Sequence, residues 1–297
     1  MMGDLGYVSP EDYQGFATPQ SERVREKAYQ DYLDFVSWQS KQARHTTVVE
    51  QTTREKWMAD HPLGFFERRD AFGPQGIYGR WLRGHDAVVQ VGDGLFVHGG
   101  LNPRISFRDV QELNQRIRSD LAAFDSIWES LSKKKVIWRY MTIEEALRQA
   151  QSEWTEIQIR EQVEPEVKEE LQKLLSFPTW YTNSADGPLW YRGLALEPEE
   201  TLRPGVDEML ARQKISYIVA GHTPQPNFQI NDRFGNRVFL IDTGMLKSVF
   251  GGRASALEIQ GGRFTAFYTN EKPQVLLAPA SGASIPLAPS QGTGPPR

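Results

Sequence analysis

Cysteine is absent from all 297 residues, which removes disulfides, thiolate nucleophiles and cysteine-ligated zinc, so any catalysis here draws on oxygen and imidazole groups. No stretch approaches the roughly 18 uninterrupted apolar residues that a membrane helix needs. Neither sign of charge dominates: 34 Lys and Arg stand against 38 Asp and Glu, for a net charge of −4. No long basic stripe offers a backbone-binding face, so nucleic acid is not an expected partner. The start, Met1 to Tyr7, has neither the basic residues nor the apolar run of a signal peptide, which leaves the compartment open between cytoplasm and periplasm. Histidine is scarce too, at five residues, so the position of each one matters.

What is present is ordinary for a folded chain. Hydrophobic residues at 39% and charged residues at 24% are enough to bury a core. From Thr18 to about Asp60 the pattern is polar and helical, with Val24, Ala28, Tyr32 and Phe35 recurring at steps of three and four. Thr18 and Pro19 suit N-cap and first-turn positions, and His61-Pro62-Leu63-Gly64 ends the pattern. Residues 18–82 therefore read as a helical cap or insertion.

The character changes at Asp86. Ala87 to Val91 and Leu95 to His98 are β-type runs joined by Gly92-Asp93-Gly94, a hairpin turn. Helical periodicity returns over residues 106–131, 142–159 and 165–176, and these helices are expected to cover one sheet face. From Ile215 the chain alternates short strands with glycine-containing turns, through Tyr217 to Ala220, Val238 to Ile241, Ala254 to Ile259 and Phe264 to Tyr268. The expected fold class is α/β in a layered α+β arrangement, with a strand-rich core at 86–101 and 215–268. One domain is expected over 1–272, followed by a disordered tail over 273–297, rich in Pro, Ala and Ser.

Two segments combine a hydrophobic strand with a histidine beside glycine at its end: Phe96-Val97-His98-Gly99-Gly100 and Val219-Ala220-Gly221-His222-Thr223-Pro224. In layered α/β folds, ligand sites gather at the carboxyl ends of strands. Glycine lets backbone or ligand approach closely, and neutral imidazole is a good ligand for Zn, Mn or Fe. A strand-end histidine serves equally well as a hydrogen-bonded rim residue, and spacing alone leaves both readings open. His45, His61 and His85 lie in helical or loop contexts and are assigned no chemistry.

Taken in order, His98-Gly99-Gly100, Trp190-Tyr191-Arg192-Gly193, Gly221-His222-Thr223-Pro224 and Ile241-Asp242-Thr243-Gly244-Met245 resemble the calcineurin-like metallophosphoesterases, in particular their bacterial-type, Shewanella-like protein phosphatase branch. The resemblance runs from about Met1 to Tyr268. It implies a sandwich of two β-sheets flanked by helices, with two divalent metal ions (Mn, Fe or Zn) at the strand ends. In that family a hydroxide bridging the metals attacks phosphorus. His98 and His222 would ligate the second metal, and Arg192 would clamp the substrate phosphate, as a planar guanidinium matches phosphate oxygens. Trp190 and Tyr191 would line the pocket. Asp242 and Thr223 would support the ligands without touching metal. The implied partner is a phosphorylated substrate, either a phosphoprotein or a small phosphomonoester.

The family pattern also contains an Asp-x-His segment, a Gly-Asp-x-x-Asp-Arg-Gly segment and a Gly-Asn-His-Glu or Asp segment before the first matched histidine, and none of them is present. Gly92-Asp93 lacks the second Asp and the Arg, and Gly235-Asn236-Arg237 lacks the histidine. Met1 to Val8 resembles the segment that follows the third motif, so the expectation is a truncated chain, missing its first strands and half of its metal ligands. Three readings follow: a metallophosphatase whose activity is absent or impaired in this chain, a non-catalytic scaffold that binds partners, and a phosphodiesterase or nucleotidase of the same superfamily.

Overall fold

The computed structural model describes residues 8–42, 53–158 and 164–278. It divides into two compact units. The first comprises Met1–Ala87 with Gln111–Ser184, the second Val88–Val110 with Ala185–Arg297.

The first unit is helical. Its elements are α1 (Pro10–Gln14), α2 (Ser21–Gln42), α3 (Arg54–Asp60), α4 (Phe65–Phe72), α5 (Ile77–Arg83), α6 (Val110–Lys133), α7 (Ile143–Ile157) and α8 (Pro165–Ser176). Leu113, Ile117, Leu121, Phe124, Ile127 and Leu131 recur along α6 at steps of three and four, and all are buried, as an amphipathic helix requires. Thr142 and Glu145 form a reciprocal capping box that starts α7. Ala28, Tyr32 and Phe35 of α2 pack into one core with Phe124, Ile127 and Leu131 of α6, Ala146 and Ala150 of α7, and Leu171 and Leu174 of α8. The later helices therefore share a core with the earlier ones.

The centre of this core is aromatic. Trp57 lies 4.9 Å from Tyr29, 5.8 Å from Phe66 and 6.1 Å from Trp138, ring centroid to ring centroid. His61 stacks on Trp57 at 4.1 Å and directs Nδ1 to the Trp57 carbonyl at 2.8 Å. Burial pushes its pKa below the ordinary 6.5, with Asp60 and Glu145 opposing the shift and Arg69 adding to it.

The second unit holds two sheets. The five-stranded sheet has the order β1-β2-β3-β5-β4, made from β1 (Val88–Val91), β2 (Gly94–Val97), β3 (Tyr217–Ala220), β4 (Asn231–Arg233) and β5 (Val238–Leu240). β1 and β2 form the expected hairpin around Gly92, whose φ of 60° suits glycine. β2 pairs parallel with β3 and β3 parallel with β5, while β4 is antiparallel to β5. The second sheet is antiparallel, β6 (Ser255–Gln260), β7 (Arg263–Tyr268) and β8 (Gln274–Leu277). The sheets meet through Phe239, stacked on Phe264 at 4.3 Å, and Tyr217, edge-on to Phe264 at 4.8 Å. Two helices of four residues, α9 (Gly193–Leu196) and α11 (Lys247–Phe250), and the longer α10 (Glu199–Gln213) complete the unit. The architecture is a mixed α/β one.

β8 corrects the expectation that order ends at residue 272. Val275-Leu276-Leu277 is a short apolar run between prolines, and the free edge of β7 offers it a ladder; Leu276 and Leu277 pack on the Val219, Phe239 and Phe264 cluster. Residues 279–297 of the expected tail lie outside the described residues, as does His45. Among the described residues, no helix is long and apolar enough to cross a membrane.

Candidate functional site

Parallel pairing assembles the site. Val97 stands opposite Ala220 in the β2 and β3 register, so the chain leaves both strands on the same sheet edge, with the Gly221 N–H donating to the His98 carbonyl at 2.9 Å. The imidazoles of His98 and His222 lie 4.9 Å apart, centroid to centroid, at 55°. β5 ends beside them: the Ile241 N–H donates to the Ala220 carbonyl at 2.8 Å, and Gln225 donates to the Asp242 carbonyl at 2.9 Å. Three neighbouring parallel strands thus deliver His98, His222 and Asp242 to one place.

The loop carrying Trp190 and Arg192 is tied to the same edge. Gly99 and Gly100 both donate to the Pro188 carbonyl, at 2.8 and 3.2 Å. A Cβ on Gly99 would come within 2.8 to 2.9 Å of the backbone of Leu189 and Trp190, so this approach requires glycine. Trp190 then sits edge-on to His222 at 5.2 Å and 87°.

His222 is the apex of a three-residue turn closed by the Thr223 N–H on the Gly221 carbonyl at 2.7 Å. Its φ is 63°, a left-handed conformation that costs a non-glycine residue about 1 kcal/mol or more. Its Nε2 is buried and has no hydrogen-bond partner, and the same holds for Thr223 Oγ1. Enclosure in protein, the Arg192 charge and the His98 ring together push the His222 pKa down to about 4. For His98, which keeps one face exposed, the surrounding protein mass lowers the pKa, with Asp242 opposing and Arg192 reinforcing. Both rings are neutral at pH 7. Arg192 itself is exposed.

Two of the expected site residues make local bonds of their own. Tyr191 is buried, and its hydroxyl donates to Glu197 Oε1 at 3.2 Å; Glu197 also takes two bonds from Arg104, at 2.9 and 2.5 Å. It therefore anchors the loop, and Trp190 is the aromatic residue beside the imidazoles. Asp242 Oδ1 accepts from the Gly244 N–H at 2.9 Å and acts on the histidines through its charge. His61 and His85 each direct Nδ1 to the carbonyl four residues earlier, at 2.8 and 2.7 Å, a structural use of imidazole.

As donors for a cation, two neutral imidazoles with one orphaned ring nitrogen are suited in chemistry. They do not close a site. Among the described residues no group of three or more His, Cys, Asp or Glu side chains stands where it would hold a metal ion. The fit is that of half a ligand set.

No family model matches the chain. Over 175 residues it is 26% identical to Shewanella-like protein phosphatase 1 of Plasmodium berghei, a match covering 58% of this chain and 36% of that protein. The chain is similar to the Shewanella-like protein phosphatases. Over 69 residues it is 39% identical to an uncharacterized protein of Schizosaccharomyces pombe, covering 23% of this chain and 20% of the relative. Solved structures of a cold-active protein tyrosine phosphatase align at 18% identity: one at TM-score 0.45, with 75% of this chain and 49% of that chain covered, and one from a psychrophilic Shewanella species at TM-score 0.44, with 76% and 52% covered. The match to the Plasmodium phosphatase thus spans little more than a third of that protein.

Sequence reasoning stopped at Met245, the end of the Ile241 to Met245 motif. Met245, Leu246, Val249 and Phe250 are all exposed, and the signal was legible as apolar residues starting at the third position after the aspartate, where a surface loop is ordinarily polar.

Proposed function

We propose that this chain carries one half of the centre of a metal-dependent phosphoester hydrolase of the phosphomonoesterase or protein phosphatase type, on a calcineurin-like sandwich. The observation that carries the reading is the pairing of His98 with His222, whose buried Nε2 has no partner, at the ends of adjacent parallel strands. His98 and His222 would hold one divalent cation. The chemistry such metals supply when bound is neutralisation of phosphoryl charge and a nucleophile available at neutral pH. Arg192, whose charge already acts on both rings, would orient the phosphoryl oxygens. Trp190 would wall one side of the pocket and exclude water from it. The three-residue turn from Gly221 to Thr223 sets the backbone at His222, and Tyr191, Glu197 and Arg104 hold the loop that presents Arg192.

The experiment is isothermal titration of the 297-residue chain with Mn2+. Weak binding of a single cation, lost in both His98→Ala and His222→Ala, supports the reading; an affinity untouched by both substitutions overturns it. Turnover of para-nitrophenyl phosphate with Mn2+ should be feeble, because catalysis needs acidic donors that the described residues do not bring into reach. That same shortfall favours a second reading, a phosphate-binding scaffold without turnover, in which Arg192→Ala abolishes phosphate binding and Mn2+ has no effect on it.

A further inference from the structure

A cavity of about 1100 Å³ is lined by residues of the helical unit alone and shares none with the strand-end histidines. Its walls are the end of α4 with the loop that follows, one face of α6, and Arg139 with Tyr140. These walls are tied to one another. Arg83 of α5 reaches both carboxylate oxygens of Asp125 on α6, at 2.8 and 2.9 Å, and donates to the Phe72 and Gly79 carbonyls at 3.3 and 3.2 Å. Arg139 pairs with Asp70 at 2.9 Å, and the Trp128 indole N–H donates to the Arg139 carbonyl at 3.0 Å. A Cβ on Gly79 would stand 1.8 Å from the Gly73 carbonyl oxygen, so α5 lies directly against the loop. The cavity is preformed, and its volume is just above the usual range of small-molecule sites, about 300 to 1000 Å³.

Some of its polar groups are satisfied and some are not. Arg83, Arg139 and Lys133 each have a carboxylate, from Asp125, Asp70 and Glu129. Arg68 and Arg69 have no ion-pair partner among the described residues. Arg68 lies over the Phe72 ring at 4.7 Å, and Arg69 gives one bond to the Met141 carbonyl at 2.8 Å. Burial lowers the Arg69 pKa, with Glu145 the main opposing charge, a cost that a bound anion would offset. Glu67 accepts the Ser21 hydroxyl through Oε1, while its Oε2 and the Ser132 Oγ are buried without a partner. Groups so placed ordinarily have one. Phe72, Phe124, Trp128 and Tyr140 add flat aromatic surface to the walls.

We propose that this cavity binds a nucleoside monophosphate. The phosphate dianion matches two uncompensated guanidiniums, which take phosphate oxygens in pairs. The ribose hydroxyls supply the donors that Glu67 Oε2 and Ser132 Oγ lack, and the base has aromatic rings on which to stack. A fatty acid would bring no donor for Glu67, and an aromatic amino acid only one negative charge for two arginines.

The test is equilibrium dialysis of the 297-residue chain against radiolabelled adenosine monophosphate, in EDTA so that no divalent cation supports hydrolysis. Adenosine, ribose 5-phosphate and 2′,3′-dideoxyadenosine monophosphate, each lacking one of the three recognised parts, should compete at least about tenfold more weakly than unlabelled adenosine monophosphate. Arg68→Gln, which removes one guanidinium, and Ser132→Phe, which fills the cavity, should each weaken binding at least about tenfold with an unchanged circular dichroism spectrum, and Arg192→Ala should leave it intact. Should Ser132→Phe fail to fold, Arg68→Gln alone decides. Absence of binding would overturn the proposal, as would equal competition by the three partial ligands. Binding lost in Arg192→Ala and kept in Arg68→Gln would move the nucleotide to the strand-end site and overturn it too. Stronger competition by tryptophan or dodecanoate than by adenosine monophosphate would give the cavity to an amphipathic acid instead.

Discussion

Adding a single methyl group at Gly99 should disturb the site more than most larger changes. The Cβ of Gly99→Ala would enter within 2.8 to 2.9 Å of three backbone atoms of Leu189 and Trp190, and backbone cannot rotate away as a side chain would. Relief requires the 187–193 loop to move off β2, which stretches the two hydrogen bonds on the Pro188 carbonyl. Overpacking costs about 1 to 3 kcal/mol and each weakened bond up to about 1 kcal/mol, so the second unit should lose about 2 to 4 kcal/mol. Gly221→Ala is the control, because its Cβ would meet only the His98 carbonyl at 3.4 Å, an ordinary contact that should cost under about 1 kcal/mol. Trp190 is the lone tryptophan of the second unit among eight in the chain. Fluorine NMR of 5-fluorotryptophan protein through a urea titration therefore reads that unit separately, once Trp190→Phe has assigned the resonance. A Gly99→Ala protein whose Trp190 resonance stays in place, and whose midpoint corresponds to less than about 0.5 kcal/mol of change, a typical surface substitution, would refute the close approach.

Further outcomes are expected elsewhere. His222→Gly relieves a left-handed backbone and removes an orphaned buried nitrogen, so stability should hold or rise by up to about 1 kcal/mol while Mn2+ binding disappears; a destabilisation above 1 kcal/mol measured by urea titration would show that the ring supports the fold. His61 has a folded pKa below its unfolded 6.5, so the unfolded chain takes up the proton first on acidification. Its contribution is present above pH 6.5 and is lost as pH falls through the depressed folded value. His61→Phe should flatten the stability of the helical unit between pH 7 and pH 5, and an unchanged slope would remove His61 as its source. A chain ending at Lys272 should be about 2 to 3 kcal/mol less stable than one ending at Ala278, since it loses β8 with the packing of Leu276 and Leu277; equal melting of the two would show that the strand contributes nothing.

Much of this was readable from local pattern. β1, β2, β3, β5, β6 and β7 follow from short β-branched and aromatic runs between glycines, and α6 from a regular three-and-four spacing. β4 was not readable, because Asn231-Asp232-Arg233 has no apolar residue and forms only since β5 lies beside it. Membership of the helices was equally hidden: nothing in the periodicity of α6 says which other helices share its core. In the site, glycine beside strand-end histidine placed His98 and His222 correctly in space. Trp190 and Tyr191 were not separable in sequence, because adjacent residues in a turn point in different directions and only the bond to Glu197 decides which ring turns inward.

The parallel pairing of β2 with β3 has a kinetic side. The β1 and β2 hairpin closes over a two-residue turn and forms on the microsecond scale. Val97 and Ala220, by contrast, are about 120 residues apart in sequence, and most of what lies between them folds into the other unit. Loop-closure entropy delays that pairing until late in folding. Neither histidine has its partner before then, so a partly folded or stalled chain presents no imidazole pair, and the cation affinity proposed for that pair should appear only with the slowest folding phase.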